Sequence, residues 1–265
     1  MRTEEQISLD SVKFEYCPGI PILWDITLSI QRGEFIGILG PNGSGKSTLG
    51  RLLNARLRPT AGILLVEGLL STVPHNIRRI KTLVTLIESD PGMQFVTSTV
   101  FDEIAFALQT LKLTREEIIE RVEAALTLFS LHSYRNSHPF HLSSGEQFRL
   151  LLAVALARRP HYLLLDEVTS MMDSVTRYDI LQILSEQCAA GIAVILISHR
   201  IEDLLHADRI LVLVGGKKEV EGPANTVLTQ ALVTPSWKIA VPITHQISSL
   251  LLPHHRDLFP ELFQK

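Results

Sequence analysis

The sequence predicts an α/β fold, a parallel sheet covered by helices and interrupted by a helical lobe. Three observations point there. Short runs apolar on both faces recur at residues 35–39, 162–165, 193–197 and 210–214, as strands buried in a parallel sheet require. A glycine-rich loop, Gly40-Pro41-Asn42-Gly43-Ser44-Gly45-Lys46-Ser47-Thr48, joins the first of these runs to a helix-like segment at 49–54. Between about residues 89 and 157 the apolar period changes from strand-like to helical. A chain of 265 residues has room for one large α/β domain or a domain with a lobe.

The elements follow in order. Apolar residues partly alternate over 7–16, the pattern of a half-buried strand, and 26–30 reads as a second strand. The turn Gln31-Arg32-Gly33 leads into the 35–39 strand, and further strands are expected at 63–66 and 83–87. Thr114-Arg115-Glu116-Glu117 has the spacing of a capping box and opens a helix with Ile118, Val122, Ala125 and Phe129 on one face. Cys188 falls in a helical stretch, where it reads as a small apolar residue. From about Thr229 the composition shifts, with Pro235, Pro242, Pro253 and Pro260 between short apolar pieces. That tail is expected to pack as short helices or loops on the core or on another chain. There is no internal repeat and no low-complexity tract.

Composition narrows the function classes. A net charge of −3 and a pI near 6.4 give no global reason to expect a nucleic-acid partner. Basic residues cluster only in Arg78-Arg79-Ile80-Lys81 and Arg158-Arg159, which read as solvated helix ends. Two cysteines cannot build a disulfide framework. The first residues lack the apolar segment of a signal peptide, and the longest apolar runs, 150–157 and 192–197, are far shorter than the roughly 20 residues that span a bilayer. The expectation is a soluble cytoplasmic protein that reaches a membrane only through a partner.

The loop at 40–48 matches G-x-x-x-x-G-K-[ST]. Glycines at 40, 43 and 45 let consecutive N–H groups converge on phosphate oxygens, and the following helix offers its positive end to the same anion. Lys46 adds a point charge near β- and γ-phosphates, and Ser47 offers a hydroxyl to Mg²⁺. A chance glycine-rich turn with these fixed positions arises in about one chain in a hundred of this length at ordinary residue frequencies. Placement between a buried strand and a helix lowers that further.

Leu163-Leu164-Leu165-Asp166-Glu167 is a buried strand ending in two acids. Asp166 can orient the hydration shell of Mg²⁺, and Glu167 can take a proton from an attacking water; alone, such a pair reads equally well as a helix cap. Ser143 with Glu146 in Leu142-Ser143-Ser144-Gly145-Glu146-Gln147 is itself a capping box, yet an exposed helix end bearing Ser and Gly is also a phosphate-binding surface. Its place about twenty residues before the acidic strand favours the second reading. His199 ends the strand at 193–197 and Ser198, where a γ-phosphate sensor is needed. A lone histidine there is otherwise a structural residue.

With these residues in order, the chain resembles the ATP-binding cassette (ABC) ATPases from roughly residue 5 to 228. Gly40 to Thr48 is similar to their Walker A, Leu142 to Glu146 to their signature, and Leu163 to Glu167 to their Walker B. Asp173 matches the D-loop aspartate, His199 the switch histidine and Tyr16 the aromatic residue that stacks on adenine. The resemblance implies a P-loop NTPase (RecA-like) core over 1–228, with an antiparallel β subdomain, a helical subdomain inserted at about 89–157 and an extension at 229–265. It implies ATP and Mg²⁺ as cofactors, and catalysis by Glu167 and His199. It also implies a dimer, of like or paralogous chains, in which each ATP lies between Walker A of one chain and Ser143, Ser144 and Gly145 of the other.

Asp90-Pro91-Gly92-Met93-Gln94-Phe95-Val96, followed by residues 99–106, is similar to the Q-helix region of energy-coupling factor (ECF) transporter ATPases, as are residues 234–251 to their C-terminal extension. This implies an integral membrane coupling subunit as partner, a place at the cytoplasmic face of the membrane, and import of a vitamin or metal ion. The chain departs from the pattern at several places. Ser89 stands where the Q-loop glutamine is usual, Ser144 for a glycine, Glu146 for a glutamine, and Met171-Met172 for Gly-Leu. The methionines read as filling an interface. Ser89 keeps open a weakly hydrolysing partner subunit, and a soluble ABC ATPase without a transport role is a further alternative. His245, His254 and His255 in the tail raise a metal site, which a solvated proline-rich segment explains equally well.

Overall fold

The protein is described by a computed structural model that covers residues 5–90, 94–237 and 239. Pro91, Gly92 and Met93, the tail histidines, Pro242, Pro253, Pro260 and nearly all of the tail beyond Trp237 lie outside the described residues.

The chain opens with a hairpin, β1 (Gln6–Cys17) and β2 (Ile20–Gln31), followed by β3 (Phe35–Leu39) and α1 (Lys46–Leu53). Next come β4 (Ala61–Val66), β5 (Leu69–Leu70), α2 (Pro74–Leu83) and β6 (Val84–Ile87). Three α-helices then run in succession, α3 (Val100–Leu108), α4 (Arg115–Leu128) and α5 (Ser144–Ala157). The chain returns through β7 (Tyr162–Asp166), α6 (Ser174–Ala189), β8 (Ala193–Ser198), β9 (Arg209–Val214), β10 (Lys217–Pro223) and α7 (Ala224–Val233).

The strands form two sheets: an antiparallel one in the order β2-β1-β4-β5, and a larger one in the order β10-β9-β3-β8-β7-β6, parallel except for β10. The parallel strands are apolar on both faces because each feeds two cores. Leu163 and Leu165 point with Val194 and Leu196 into a core shared with α3, α4, α5 and α6. Tyr162 and Leu164 point with Ile195 and Ile197 to the opposite face, against α1 and the antiparallel sheet. Burying both faces keeps the interior positions of β3, β7, β8 and β9 free of polar side chains, which is why they show as uninterrupted apolar runs.

Several elements differ from expectation. The second strand begins at Ile20 rather than Ile26, and Asp25, with φ +54°, marks one of the irregularities in its pairing with β1. Pro21 and Asp25 mask that extension because both are poor strand formers. β10 carries Lys217, Lys218 and Glu219 on an exposed edge, so no apolar alternation announces it. Helix α7 runs through residues 228 and 229 without a break, so the composition shift there falls inside a helix. Arg158 is not a solvated helix end: its Nε is buried with no hydrogen-bond partner among the described residues, and burial pulls its guanidinium pKa down. Met172 is 6% exposed within the helical core, so it fills this chain's own interior rather than an interface.

The capping boxes form as their spacing requires. Thr114 accepts from the N–H of Glu117, whose carboxylate accepts in return from Thr114 N–H at 2.7 Å. Ser143 and Glu146 do the same at the start of α5. Cys188 is buried, and its thiol donates to the Gly33 carbonyl.

Candidate functional site

The register of the larger sheet sets the candidate site. Leu39 pairs with Ser198, and Asp166 pairs with Ile197. The loop after β3, the acids ending β7 and the histidine after β8 therefore leave the sheet at one level, at the carboxyl ends of its parallel strands. Open α/β sheets bind ligands at this end, because the loops there diverge and leave a crevice.

The loop from Gly40 to Gly45 is held by close packing. A Cβ on Gly40 would lie 2.1 Å from the Leu213 carbonyl oxygen of β9, so this position admits only glycine for a reason of approach between backbones. Gly43 and Gly45 instead need left-handed backbone, at φ +77° and +99°. Gly40→Ala is expected to force strand β9 from the loop, lowering the melting temperature by an amount equivalent to about 1–3 kcal/mol and weakening nucleotide binding. A melting curve superimposable on that of the parent would contradict this.

Helix α1 begins at Lys46 with no side-chain cap, so the N–H groups of its first turn have no intrahelical partner and face outward. Lys46 is 4% exposed; its ammonium donates to the carbonyls of Gly40 and Pro41 at 2.9 and 3.0 Å and lies 3.7 Å from Glu167 Oε1. Burial lowers its pKa, opposed by the charges of Glu167 and Asp166. Burial raises the Asp166 pKa, the Ser47 hydroxyl opposes that, and the Glu167 charge adds to it. One carboxylate oxygen of Asp166, Oδ1, is buried without a hydrogen-bond partner among the described residues.

Glu167 follows in the left-handed region, at φ +54°, with its N–H bonded to the Ile197 carbonyl at 3.0 Å. Such a conformation costs a non-glycine residue on the order of 1 kcal/mol and persists where surrounding structure imposes it. Here it turns the carboxylate between two cationic or potentially cationic groups, Lys46 on one side and His199 Nδ1 at 3.6 Å on the other. His199 is partly exposed, while its Nδ1 is buried and makes no hydrogen bond among the described residues.

Tyr16, Ile22, Asn42, Gly43, Gly45, Lys46, Ser47, Thr48 and Glu167 line one cavity of about 390 Å³. The Tyr16 ring is 53% exposed, with its hydroxyl 3.4 Å from Thr48 Oγ1 and its edge against Phe14. An open aromatic face at one end and a cationic, N–H-rich loop at the other suit a nucleotide. Pro41 and Ser44 shape the loop without lining the cavity: the Pro41 carbonyl accepts from Ser44 N–H at 3.2 Å, and the Ser44 hydroxyl is buried.

Ser143, Ser144, Gly145, Glu146 and Asp173 do not line that cavity. They form a second surface. Ser143 and Ser144 are exposed at the tip of α5, and a Cβ on Gly145 would touch Thr176 at 3.6 Å. Asp173 caps α6 by accepting from Val175 and Thr176 N–H, and the Thr176 bonds hold its carboxyl below the usual range. Ser89 is exposed beyond β6, and Gln94 does not replace a glutamine there: its amide donates to the carbonyls of Glu88 and Asp90 and so closes the loop on itself.

Some supporting residues carry no local signal. Asp203, fully buried, accepts from the hydroxyls of Thr169 at 2.6 Å and Ser198 at 2.8 Å, tying the turn after Glu167 to the turn bearing His199. Glu88 joins Arg51 at 3.1 Å and also Arg56, pinning the end of β6 to α1. Only long-range pairing reveals these.

The ABC transporter family profile matches residues 23–170. The chain belongs to the ABC transporter ATPases. It is 35% identical over 254 residues to the energy-coupling factor transporter ATP-binding protein EcfA1 of Bacillus subtilis, covering 95% of this chain and 90% of that one. It is 39% identical over 223 residues to EcfA of Methanosarcina acetivorans, covering 84% and 81%. Among solved structures, cbiO1 from Clostridium perfringens, part of the ABC transporter complex cbiONQ, superposes with a TM-score of 0.80 at 27% identity, over 92% of this chain and 98% of that one. The dimeric post-hydrolysis cassette MJ0796, bound to ADP and Pi, superposes with a TM-score of 0.76 at 27% identity, over 82% of this chain and 98% of that one. The cassette thus binds ATP and hydrolyses it in step with transport, and its fold is that of the P-loop ABC ATPases. Among the described residues no helix is long and apolar enough to cross a membrane.

Proposed function

We propose that this cassette is the ATP-hydrolysing subunit of an ECF-type importer, working as a head-to-tail dimer under a membrane subunit at the cytoplasmic face. The observation that carries the reading is the division of its site. The cavity holds Lys46, Ser47 and Glu167, whereas Ser143, Gly145 and Asp173 face outward on a separate surface. Each surface is half of a site, and ATP bridging two chains completes both. The dimeric MJ0796 cassette, similar to this chain across most of its length, supports that arrangement.

Within one half site, Tyr16 receives the adenine and the loop from Gly40 to Thr48 receives the phosphates. Lys46 transfers its hydrogen bonds from the loop carbonyls to the phosphate oxygens. Ser47 and Asp166, whose Oδ1 lacks a partner among the described residues, would hold the Mg²⁺, which neutralises charge on the phosphates when bound. Glu167 accepts the proton of the attacking water, and His199 hydrogen-bonds the γ-phosphate. The strained backbone at Glu167 and the Asp203 tie keep these two groups aligned before the partner arrives.

Val96, Phe106 and Phe140 are each half or more exposed on the helical lobe. They supply an apolar surface for a membrane partner, whose movement follows dimer closure. The residues 1–228 then act as the motor and 229–265 as an appendage to it. Purification from membranes is expected to recover an integral membrane subunit, with or without a second ATPase chain. Recovery of the cassette alone, together with steady ATP turnover that no membrane component alters, would refute the transport reading.

A second reading has its own support. Ser89 is too short to reach a bound nucleotide's metal, and Gln94 is engaged by backbone carbonyls. A cassette that closes on ATP while a paralogous partner performs most hydrolysis fits that feature. Turnover by the purified chain alone, compared with turnover in its assembly, separates the two.

A further inference from the structure

Glu146 occupies the third position of α5, and its carboxylate gathers a small cluster. Its Oε2 accepts from Ser143 N–H at 2.8 Å and from the Ser143 hydroxyl at 2.7 Å. The Tyr134 phenol also favours the charged form of this carboxylate. Arg149, three residues on, adds favourable charge, while its guanidinium also lies 3.7 Å from Asp179. The Tyr134 phenol and the Ser143 hydrogen bonds hold the Glu146 carboxyl below its ordinary range. The group is an ionised, anchored carboxylate at the mouth of a helix.

This has a direct effect on phosphate binding. The Ser143 hydroxyl has one proton, and the carboxylate already takes it. A phosphate oxygen is an acceptor and competes for that proton against a charge-assisted bond, which is roughly twice as strong as a neutral one. The negative charge also stands within the first helical turn, the segment that offers open N–H groups to an anion. A helix end that would otherwise attract polyphosphate is thereby partly neutralised.

We infer that Glu146 is a positioning residue that withholds the Ser143 hydroxyl and lowers the ATP affinity of the half site this chain completes for its partner. The inference rests on the head-to-tail dimer proposed above. It makes the acid at this position a regulator of closure, since ATP must draw the serine away from its carboxylate before the two chains lock.

The test is steady-state kinetics of the assembly purified from membranes, with ATP varied. In Glu146→Gln the side-chain oxygen still accepts from Ser143, so the cap persists while the charge is lost. The KM for ATP is expected to fall about tenfold, a larger change than in kcat, as removal of one competing charge-assisted bond implies. The melting temperature should stay near that of the parent, which a mere loss of capping would not allow. Tyr134→Phe, which removes a group that shares the carboxylate's charge without touching the cap, should strengthen the hold on Ser143 and raise KM by about threefold. Unchanged KM in Glu146→Gln overturns the inference, and should that variant melt early, unchanged KM in Tyr134→Phe overturns it instead. A parent assembly without ATP turnover would overturn the proposed function and the inference with it, a result distinct from turnover with unaltered KM.

Discussion

Glu167→Gln is expected to bind ATP normally, lose turnover by about 10²- to 10⁴-fold, and accumulate as a closed dimer. The argument starts from geometry. The Glu167 carboxylate stands 3.7 Å from the Lys46 ammonium and 3.6 Å from His199 Nδ1, at the rim of the nucleotide cavity. Glutamine has the same shape and suffers the same left-handed backbone, so the turn after β7 is retained. What disappears is the negative charge and with it the ability to accept a proton from water. Binding depends instead on the loop, Lys46 and Tyr16, none of which changes. With hydrolysis blocked, the nucleotide that bridges the chains persists. Light scattering or size exclusion with ATP reports the dimer, and a phosphate-release assay reports turnover. Turnover equal to the parent's removes Glu167 from the role of base.

Lys46→Ala should weaken nucleotide binding by roughly 10- to 100-fold, the loss of one charge-assisted hydrogen bond to phosphate at about 1.5–3 kcal/mol. Burial makes this ammonium costly to keep charged, and its lowered pKa shows that cost. The Gly40 and Pro41 carbonyls, with Glu167 and Asp166 nearby, hold it in place until an anion comes. A phosphate chain supplies stronger acceptors at the same spot, so much of the side chain's value is realised only with ligand bound. The alanine variant should therefore fold and melt near the parent temperature without ligand, yet gain far less thermal stability on adding ATP. Calorimetric titration measures the affinity directly. Undiminished affinity would contradict the assignment of the loop to phosphate.

How much of this was legible beforehand depends on how far apart the interacting residues lie along the chain. Lys46 and Ser47 are read from fixed offsets to the loop glycines. Thr114 with Glu117 and Ser143 with Glu146 are read from the three-residue spacing of a cap, and both caps form. The parallel strands are read from uninterrupted apolar runs, because two cores bury both of their faces. The first strands were only partly legible: Asp25 and Pro21 interrupt the alternation of β2, although pairing with β1 carries the strand through them. β10 was hidden by its charged edge. Met172 turns into the core, and a position beside the D-loop does not by itself say whether a side chain faces outward or inward.

The local pattern determined the α/β class, the phosphate loop, the acids that end β7 and the helix caps, since each depends on residues a few positions apart whose backbone geometry follows from their own chemistry. Tertiary structure decided which loops meet. Sheet register brings Leu39 beside Ser198 and Asp166 beside Ile197, and Asp203 reaches Thr169 and Ser198. Those contacts join residues distant in the chain, so their existence depends on how the whole sheet and its helices pack, and no short stretch of sequence carries that information.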